Sequence, residues 1–234
     1  MEVRKQSSRI QTSILNGAER KLLIYLAERM PGWVTSDMLT FVGTFGAIII
    51  AVGYSLSNYN LNWLWLASFG FIVNWFGDSL DGSLARVRNQ QRPLYGFFLD
   101  HTVDCINETI MFIGVGLSPL LDMTVALFVL VAYLLLSVYV YIAAHLKNEF
   151  KLTYAGLGPT EFRIIVIIIN TLFIFIKPLS HIYTNVTIFG NSFQFGVFDY
   201  IGIVIGLIIF IMFLASVVKD ARYFAKIDPL KKKD

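Results

Sequence analysis

The sequence has little cysteine, little net charge and no start that resembles a signal peptide. Its one cysteine, Cys105, excludes an internal disulfide bond, and its apolar surroundings indicate a small buried side chain. The net charge of +3 is too small to indicate a nucleic-acid partner. Residues 1–21 are basic and hold no apolar core of signal-peptide length, so we expect no cleaved leader.

Apolar residues are abundant instead. They make up 56% of the chain, whereas a soluble domain has about 45–50%. They fall into blocks of roughly the 20 residues that cross a bilayer as a helix. The blocks predict an all-α, polytopic membrane protein with one domain over residues 1–234. We expect six transmembrane helices, near residues 38–58, 62–84, 97–121, 123–146, 160–178 and 196–218.

The distribution of lysine and arginine predicts the orientation. Of the 19 such residues, all but Lys177 fall on one side of the predicted membrane. Because cytoplasmic loops are enriched in these residues, both termini are expected in the cytoplasm. Residues 1–37 then form a cytoplasmic segment, residues 38–218 the membrane helices, and residues 219–234 a basic tail. Within the first segment, residues 17–30 predict an amphipathic interfacial helix, with an apolar face of Leu22, Leu23, Leu26 and Met30.

Acidic residues gather where the second and third predicted helices meet the cytoplasm. The stretch GDSLDGSLARVRNQQRPLYGFFLDHTVDCINE, residues 77–108, holds the four aspartates Asp78, Asp81, Asp100 and Asp104. Each pair has the three- or four-residue spacing that puts side chains on one helix face, and Glu108 continues the second row. We expect the second helix to end near Gly82 and the third to begin near Gly96. So many carboxylates beside hydrocarbon require protonation, pairing with arginine, or divalent metal ions.

The neighbouring residues favour metal. Carboxylate oxygens suit Mg²⁺ or Mn²⁺, and two such ions balance four carboxylates. Gly82 and Gly96 leave room for a ligand, and the guanidinium of Arg86 suits a phosphate. The pattern therefore predicts a site for two metal ions and a pyrophosphate. The alternative is a helix hairpin held by salt bridges, which has no need of the glycines.

The same residues resemble a known signature. The pattern D-x2-D-G-x2-A-R-x9-G-x3-D-x3-D resembles that of the CDP-alcohol phosphotransferase family, and here it reads Asp78, Asp81, Gly82, Ala85, Arg86, Gly96, Asp100 and Asp104. The resemblance implies six membrane helices, an interfacial N-terminal helix and a homodimer. It also implies transfer of a phosphoalkyl group from a CDP-linked lipid donor to a small polar alcohol, with release of CMP.

Roles for individual residues follow from the resemblance. Two divalent ions, Mg²⁺ or Mn²⁺, would be bound by Asp78, Asp81, Asp100 and Asp104. Asp104 would also be the general base that accepts the proton of the acceptor hydroxyl. The CDP moiety would be bound by Asp81, Gly82, Ala85, Arg86 and Gly96. The segment TSDMLT, residues 35–40, resembles a further family stretch and adds Asp37 and Thr40 to that pocket.

The acceptor is open at this level. In GLGPTEFRI, residues 156–164, Thr160 could simply cap the fifth membrane helix, with Glu161 in its first turn. Alternatively Glu161 and Arg163 face the acceptor. The G-P-T-E string resembles choline and ethanolamine enzymes, whereas Arg163, helped by Arg222, resembles the phosphate-binding arginines of enzymes that use glycerol phosphate or inositol phosphate. We favour the phosphate-bearing acceptor slightly.

Two further points complete the expectations. His101 adjoins Asp100 but points about 100° away on a helix, so we expect a packing role, and His145 and His181 receive none. A membrane cation transporter that uses the acidic cluster is the alternative function. Transporters often have a site at the midplane and an internal repeat. The cluster here lies near a helix boundary and the sequence shows no convincing repeat, so the transferase is favoured.

Overall fold

The computed structural model describes residues 8–10, 14–147, 149–151, 158–176, 182–188 and 191–230. Most of this part is helical. The helices are α1 (Asn16–Arg29), α2 (Ser36–Leu56), α3 (Leu64–Val87), α4 (Pro93–Gly116), α5 (Met123–Lys147), α6 (Pro159–Phe175) and α7 (Val197–Ile227), with a single 3₁₀ turn at Leu61–Trp63. The short strands are β1 (Ser8–Ile10), β2 (Glu149–Lys151), β3 (Tyr183–Ile188) and β4 (Asn191–Gly196).

The prediction of an all-α chain therefore needs a small correction. β1 pairs with β2 in parallel, and β3 pairs with β4 as an antiparallel hairpin in the loop before the last helix. β3 is rich in β-branched and aromatic residues, and β4 contains two phenylalanines, which favour extended backbone. The predicted loop is thus partly a hairpin because its residues favour extended backbone.

By length and composition, three of the helices could cross a membrane: α2, α5 and α7. α3 and α4 carry the aspartates, and α6 has only 17 residues. That these three also cross stays a prediction. These helices indicate an integral membrane protein, and a total of six membrane helices stays a prediction.

Three helix ends differ from their predicted positions. α3 continues beyond Gly82 to Val87, and α4 begins at Pro93 rather than near Gly96. The carboxylates do not end the helices because they face neighbouring helices, and a proline suits the first helical turn. α7 extends to Ile227, nine residues past the predicted end, since the residues that follow the apolar run still favour a helix.

α2 and α3 form the centre of the fold. Small residues on both helices let the two backbones approach closely, and a Cβ added to Gly46, Gly53 or Gly77 would lie less than 3 Å from backbone atoms of the partner helix. Asn74 strengthens the pair, because its Nδ2 donates to the carbonyl oxygen of Gly43 at 2.9 Å. Close packing of small residues is the usual way to join helices where lipid removes the hydrophobic driving force.

Two apolar clusters continue this centre toward the ends of the helices. One joins α2 and α3 to α6 through Ile50, Phe71 and Phe173. Within it, the Tyr54 hydroxyl donates to Asn170 Oδ1 at 2.9 Å. The second cluster joins them to α1 through Leu23, Ala27 and other residues.

α1 agrees in position with the predicted interfacial helix. Leu23 is buried, and Leu26 and Met30 pack against the second cluster, whereas Leu22 is exposed. Most of the predicted apolar face therefore contacts α2 and α3. A location of α1 in the membrane interface stays a prediction.

Two buried carboxylates begin later helices and bind distant backbone at the same time. Glu161 accepts from the N–H of Gly158 at 2.9 Å, just before α6, and from the N–H of Leu15 at 2.8 Å. Asp199 accepts from the N–H of Gly196 before α7 and from the N–H of Asp122 before α5, both at 2.7 Å. Each carboxylate thus satisfies one free amide of its own helix and one of a remote segment.

The cap of α6 corrects one prediction. Gly158, not Thr160, precedes the helix, and Pro159 is its first residue. Thr160 lies inside the first turn, where its hydroxyl donates to Glu19 Oε1 of α1 at 2.6 Å. The same oxygen accepts from Trp75 Nε1 of α3 at 2.8 Å. Glu19 therefore joins α1, α3 and the start of α6.

Candidate active site

One small cavity collects the side chains that the sequence singled out. Its volume is about 10 Å³, and it is lined by Thr40 and Gly43 of α2, Asp78 and Asp81 of α3, and Asp100, Val103, Asp104 and Asn107 of α4. The two rows of aspartates face each other because α3 and α4 both pack against α2. A space of this size is on the scale of water molecules or bare ions and is too small for a nucleotide or a lipid head group.

Asp81 is held from two sides. Its Oδ2 accepts from the hydroxyl of Thr40 at 2.7 Å, and its Oδ1 accepts from the N–H of Gly82. Thr40, which the sequence assigned to the CDP pocket, therefore contacts the aspartate cluster, and its role in nucleotide binding stays a prediction. These bonds fix the carboxylate toward the cavity, where its remaining lone pairs can bind a cation.

Arg163 reaches the cluster from α6. Its Nη2 donates to Asp78 Oδ2 at 2.6 Å, and the two side chains are 15% and 24% exposed. Arg163 therefore lies at the level of Asp78, although the two residues are on different helices. A guanidinium here offsets part of the negative charge and lies where an anion could enter.

His101 lies beside the aspartates as well as in a ring stack. One potential ligand atom from each of Asp100, His101 and Asp104 lies within 4.8 Å of the others, and His101 Nδ1 is 3.4 Å from Asp100 Oδ2. The imidazole also packs between the rings of Phe97 and Tyr141, with centroids 4.1 and 4.4 Å away. The expected packing role is present, but it does not exclude a contact with a bound ion.

The predicted CDP-binding residues occupy the same end of α3 and α4. The guanidinium of Arg86 lies over Gly82, and its Nη2 donates to the Ser83 hydroxyl at 3.0 Å. Ala85 precedes Arg86 on the helix. At Gly96, in the first turn of α4, an added Cβ would meet nothing within 4 Å. The chain itself therefore gives no steric reason for this glycine.

Asp37 makes a different contact from the one expected. Its Oδ1 forms an ion pair with Arg92 just before α4, and Tyr95 donates to its Oδ2 at 3.4 Å. The hydrogen bond that Arg92 donates to Asp37 raises the pKa of the Arg92 guanidinium above its ordinary value. These contacts join the starts of α2 and α4 at the rim of the cluster, and a role in nucleotide binding stays a prediction.

The three predicted acceptor residues are not brought together. Arg163 contacts the aspartate cluster through Asp78. Glu161 is 7% exposed, and its two oxygens accept hydrogen bonds from the backbone amides described above. Arg222 lies on the exposed end of α7, which packs against α5, and no described hydrogen bond or ion pair joins it to the aspartates. Among the described contacts, only Arg163 supports an acceptor site beside the cluster. His145 ends α5 away from this cavity, and His181 lies outside the described residues.

Sequence reasoning missed Asn107. This residue is 5% exposed, lines the cavity, and has a buried Oδ1 without a hydrogen-bond partner among the described residues. Its position seven residues after Asp100 and three after Asp104 puts it on the same helix face, and that spacing could have found it. Four carboxylates and an amide, with Thr40 beside them, make an oxygen-rich donor set that fits a hard divalent cation.

Comparisons with known proteins identify the family of most of the chain. The family model described as CDP-alcohol phosphatidyltransferase matches residues 33–215. A phosphatidylinositol phosphate synthase of Cutibacterium acnes is 37% identical over 84 residues, which are 36% of this chain and 38% of that protein. An archaetidylinositol phosphate synthase of Pyrococcus horikoshii is 29% identical over 144 residues, 62% of this chain and 72% of the relative. One of Methanothermobacter thermautotrophicus is 28% identical over 153 residues, 65% and 73% of the two chains.

Proposed function

Since the chain belongs to the CDP-alcohol phosphatidyltransferase family, we propose that it transfers a phosphatidyl-type group from a CDP-linked lipid to inositol phosphate and releases CMP. The family makes the chain a phosphotransferase of phospholipid biosynthesis. It therefore decides against the cation transporter that the acidic cluster alone left open. The identity of the acceptor and the roles of single residues are the parts that we propose.

The observation that carries the proposal is the junction of Arg163 with the aspartate cavity. Arg163 Nη2 lies 2.6 Å from Asp78 Oδ2, so the guanidinium is positioned at the edge of the cation-binding oxygens. An acceptor that carries a phosphate needs a cation there, because the aspartates otherwise repel it. Three relatives named as inositol phosphate lipid synthases support the same class of acceptor.

Asp78, Asp81, Asp100 and Asp104 would hold two divalent ions, Mg²⁺ or Mn²⁺. Bound there, the ions supply positive charge that polarises the pyrophosphate of the donor and stabilises the departing CMP. The donor set fits them because every oxygen is hard and because Asp81 is already oriented by Thr40 and Gly82. The fit concerns these residues and leaves the number of ions to experiment.

Asp104 is the proposed general base. Its carboxylate accepts the proton of the acceptor hydroxyl while the hydroxyl oxygen attacks the β-phosphorus of the donor. The bond between that phosphorus and the oxygen bridging to the α-phosphate breaks, and CMP leaves with the bridging oxygen. Asp104 lies on the same cavity wall as Asp100, so the proton acceptor and the cation-binding oxygens are close together.

The CDP moiety would lie at the cytoplasmic ends of α3 and α4. Arg86 offers a guanidinium to a phosphate, and the open space at Gly96 admits the ligand. Gly82 and Ala85 keep the surface between them small. Asp37 would act at the rim of the pocket, and a homodimer with both termini and the site in the cytoplasm completes the proposal.

One observation, the ion pair between Arg163 and Asp78, also fits a second class of acceptor. If the acceptor is a neutral or amino alcohol, Arg163 needs no phosphate and simply pairs with Asp78, as it does in the structure. Glu161 would then have to release its backbone amides to reach such an acceptor. Since both of its oxygens are engaged, we favour inositol phosphate.

A panel of acceptors tests the proposal. Purified protein in lipid nanodiscs receives CDP-diacylglycerol or its ether-linked analogue, Mg²⁺, and one radiolabelled acceptor: inositol phosphate, glycerol phosphate, inositol, serine or ethanolamine. We expect CMP release and a labelled lipid with inositol phosphate, and neither after EDTA. A labelled lipid only with inositol, serine or ethanolamine would refute the phosphate-bearing acceptor, and turnover in EDTA would refute the metal site.

A further inference from the structure

Two polar residues of the cavity, Thr40 and Asn107, lie outside the aspartate signature, and of these Thr40 already donates to Asp81. Asn107 lies one turn beyond Asp104 on α4 and lines the cavity together with the four aspartates. Only 5% of the residue is exposed. The amide is therefore part of the wall that faces any bound group and is not a surface side chain.

The carbonyl oxygen of this amide has no protein partner in the described part of the chain. Oδ1 of Asn107 is buried and accepts no hydrogen bond from the described residues. Burying an amide oxygen without a partner is unfavourable, so such an atom calls for a ligand, an ion or a water molecule. Asn170 is a useful contrast, because its Oδ1 accepts from Tyr54 and its Nδ2 donates to Ser68.

We propose that Asn107 is a further ligand of the divalent ion held by the aspartates, binding it through Oδ1 directly or through one water molecule. The inference rests on the proposed function, which places the ion in this cavity. Amide carbonyl oxygens are ordinary ligands of hard cations. A neutral ligand adds a coordinating atom without adding a fifth negative charge to the cavity.

The position of Asn107 on its helix supports this role. Asp100, Asp104 and Asn107 follow one another at intervals of four and three residues, so they share one face of α4. Glu108 also has a buried oxygen without a partner, but it is not among the residues that line the cavity. Of the two neighbours, Asn107 is therefore the one that meets the ion.

The test measures Mn²⁺ binding in the absence of both substrates. Electron paramagnetic resonance of free Mn²⁺ gives the dissociation constant for the full-length protein in detergent, together with Asn107→Ala and Asn107→Asp. We expect Asn107→Ala to weaken binding roughly 10- to 100-fold, as loss of a supporting ligand contact does. Asn107→Asp should restore wild-type affinity or exceed it, because a carboxylate oxygen takes the place of the amide oxygen.

The control is Asn170→Ala, which removes a buried asparagine that is bonded within the protein. It should lower the thermal denaturation midpoint and leave Mn²⁺ affinity within about twofold, a ratio that separates packing from ligation. Size-exclusion chromatography confirms that each variant is folded. If Asn107→Ala does not fold, the Mn²⁺ affinity of Asn107→Asp decides. If the cavity holds no ion, the added charge destabilises the fold and does not raise the Mn²⁺ affinity.

The outcomes separate this inference from the proposed function. Unchanged Mn²⁺ affinity in folded Asn107→Ala, or weaker binding by Asn107→Asp than by wild type, overturns the role of Asn107 alone. A wild-type protein that binds no Mn²⁺ overturns the metal site and this inference with it. A loss of acceptor affinity without any change in Mn²⁺ affinity would assign Asn107 to the acceptor and contradict the proposal.

Discussion

The helix pairs α2–α3 and α5–α7 are joined by different means. In the first pair the backbones touch, and Gly46, Gly53 and Gly77 leave no space for a side chain. In the second, an added Cβ at Gly202 or Gly206 would meet side chains of α5 and of Leu121 just before it. α2 is also more deeply enclosed than α7, with 39% against 11% of its most apolar window buried.

The polar contacts of the two pairs differ in the same sense. Between α5 and α7, Asp220 accepts from Lys147 Nζ and from the Tyr139 hydroxyl, each at 2.6 Å, so its charge is matched inside the protein. Beside α2 and α3, four carboxylates share one guanidinium and one hydroxyl. The rigid pair thus carries Asp78 and Asp81 and faces the other two aspartates on α4, whereas the adaptable pair carries a carboxylate with a matched cation. We infer that rigidity is placed where cation-binding oxygens must keep their geometry.

The largest effect is expected from the matched pair Asp104→Asn and Asp220→Asn. Asp104→Asn keeps the shape but removes the proposed base, so CMP release should fall about 100- to 10,000-fold at saturating Mg²⁺, while binding of CDP persists. Asp220→Asn should change the rate less than about twofold, since the amide oxygen still accepts both hydrogen bonds. Near-normal turnover by Asp104→Asn would remove the base assignment.

The second prediction compares the contact between α2 and α3 with the contact between α5 and α7. Gly77→Ala places a methyl group against the backbone of Gly43 and Leu39, which cannot move aside, so we expect a loss of about 3 kcal/mol or more of stability. Gly206→Ala meets the ring of Phe128, which can rotate, and should lose less than about 1 kcal/mol. Denaturation in detergent, followed by size-exclusion chromatography, measures both. Equal losses of stability in the two variants would contradict the distinction between these two helix contacts.

The third comparison concerns the basic residues, Arg163 beside α3 and Lys147 between α5 and α7. Arg163→Ala should raise the KM for inositol phosphate about 10- to 100-fold and leave the donor KM little changed, because charge-assisted contacts contribute roughly 1.5–3 kcal/mol. Arg163→Lys should rescue only partly, since it lacks the planar fork. Lys147→Ala is the control and should leave both KM values unchanged. Steady-state kinetics with an unaltered acceptor KM in Arg163→Ala would point to a neutral acceptor.

The smallest effect is expected at a single hydroxyl. Thr40→Val removes the bond to Asp81 Oδ2 and keeps the shape, so the donor KM should rise about three- to tenfold, as for loss of one ordinary hydrogen bond. Thr171→Val is the matched control, because the hydroxyl of Thr171 bonds only to the Ile167 carbonyl on its own helix. A donor KM that moves equally in both variants would show that Thr40 has no particular role.

The sequence predicted the helices and the aspartate cluster well for a physical reason. Apolar blocks and helical spacing are local properties, so the approximate positions of α2 to α7 and the shared faces of Asp78 with Asp81 and of Asp100 with Asp104 could be read directly. These features need no knowledge of how the helices pack.

The failures depend on tertiary contacts. The sequence predicts an end of α3 near Gly82 because carboxylates begin there, whereas these carboxylates face α2 and α4. Thr160 is only one of the candidate caps in the GPT stretch, and the buried Glu161 selects Gly158. The sequence does not predict that Glu19 accepts hydrogen bonds from Trp75 and Thr160, because these bonds require α1, α3 and α6 to be packed together.

The bond between the Leu15 amide and Glu161 has a consequence for biosynthesis. The two residues are 146 positions apart, and ribosomes add about 5–20 residues per second, so Leu15 emerges roughly 7–30 s before its partner exists. During that interval the start of α1 has only water, lipid head groups or a chaperone to satisfy its amide. Docking of α1 against α6 is therefore a late step of folding, because this hydrogen bond can form only after α6 has been synthesised.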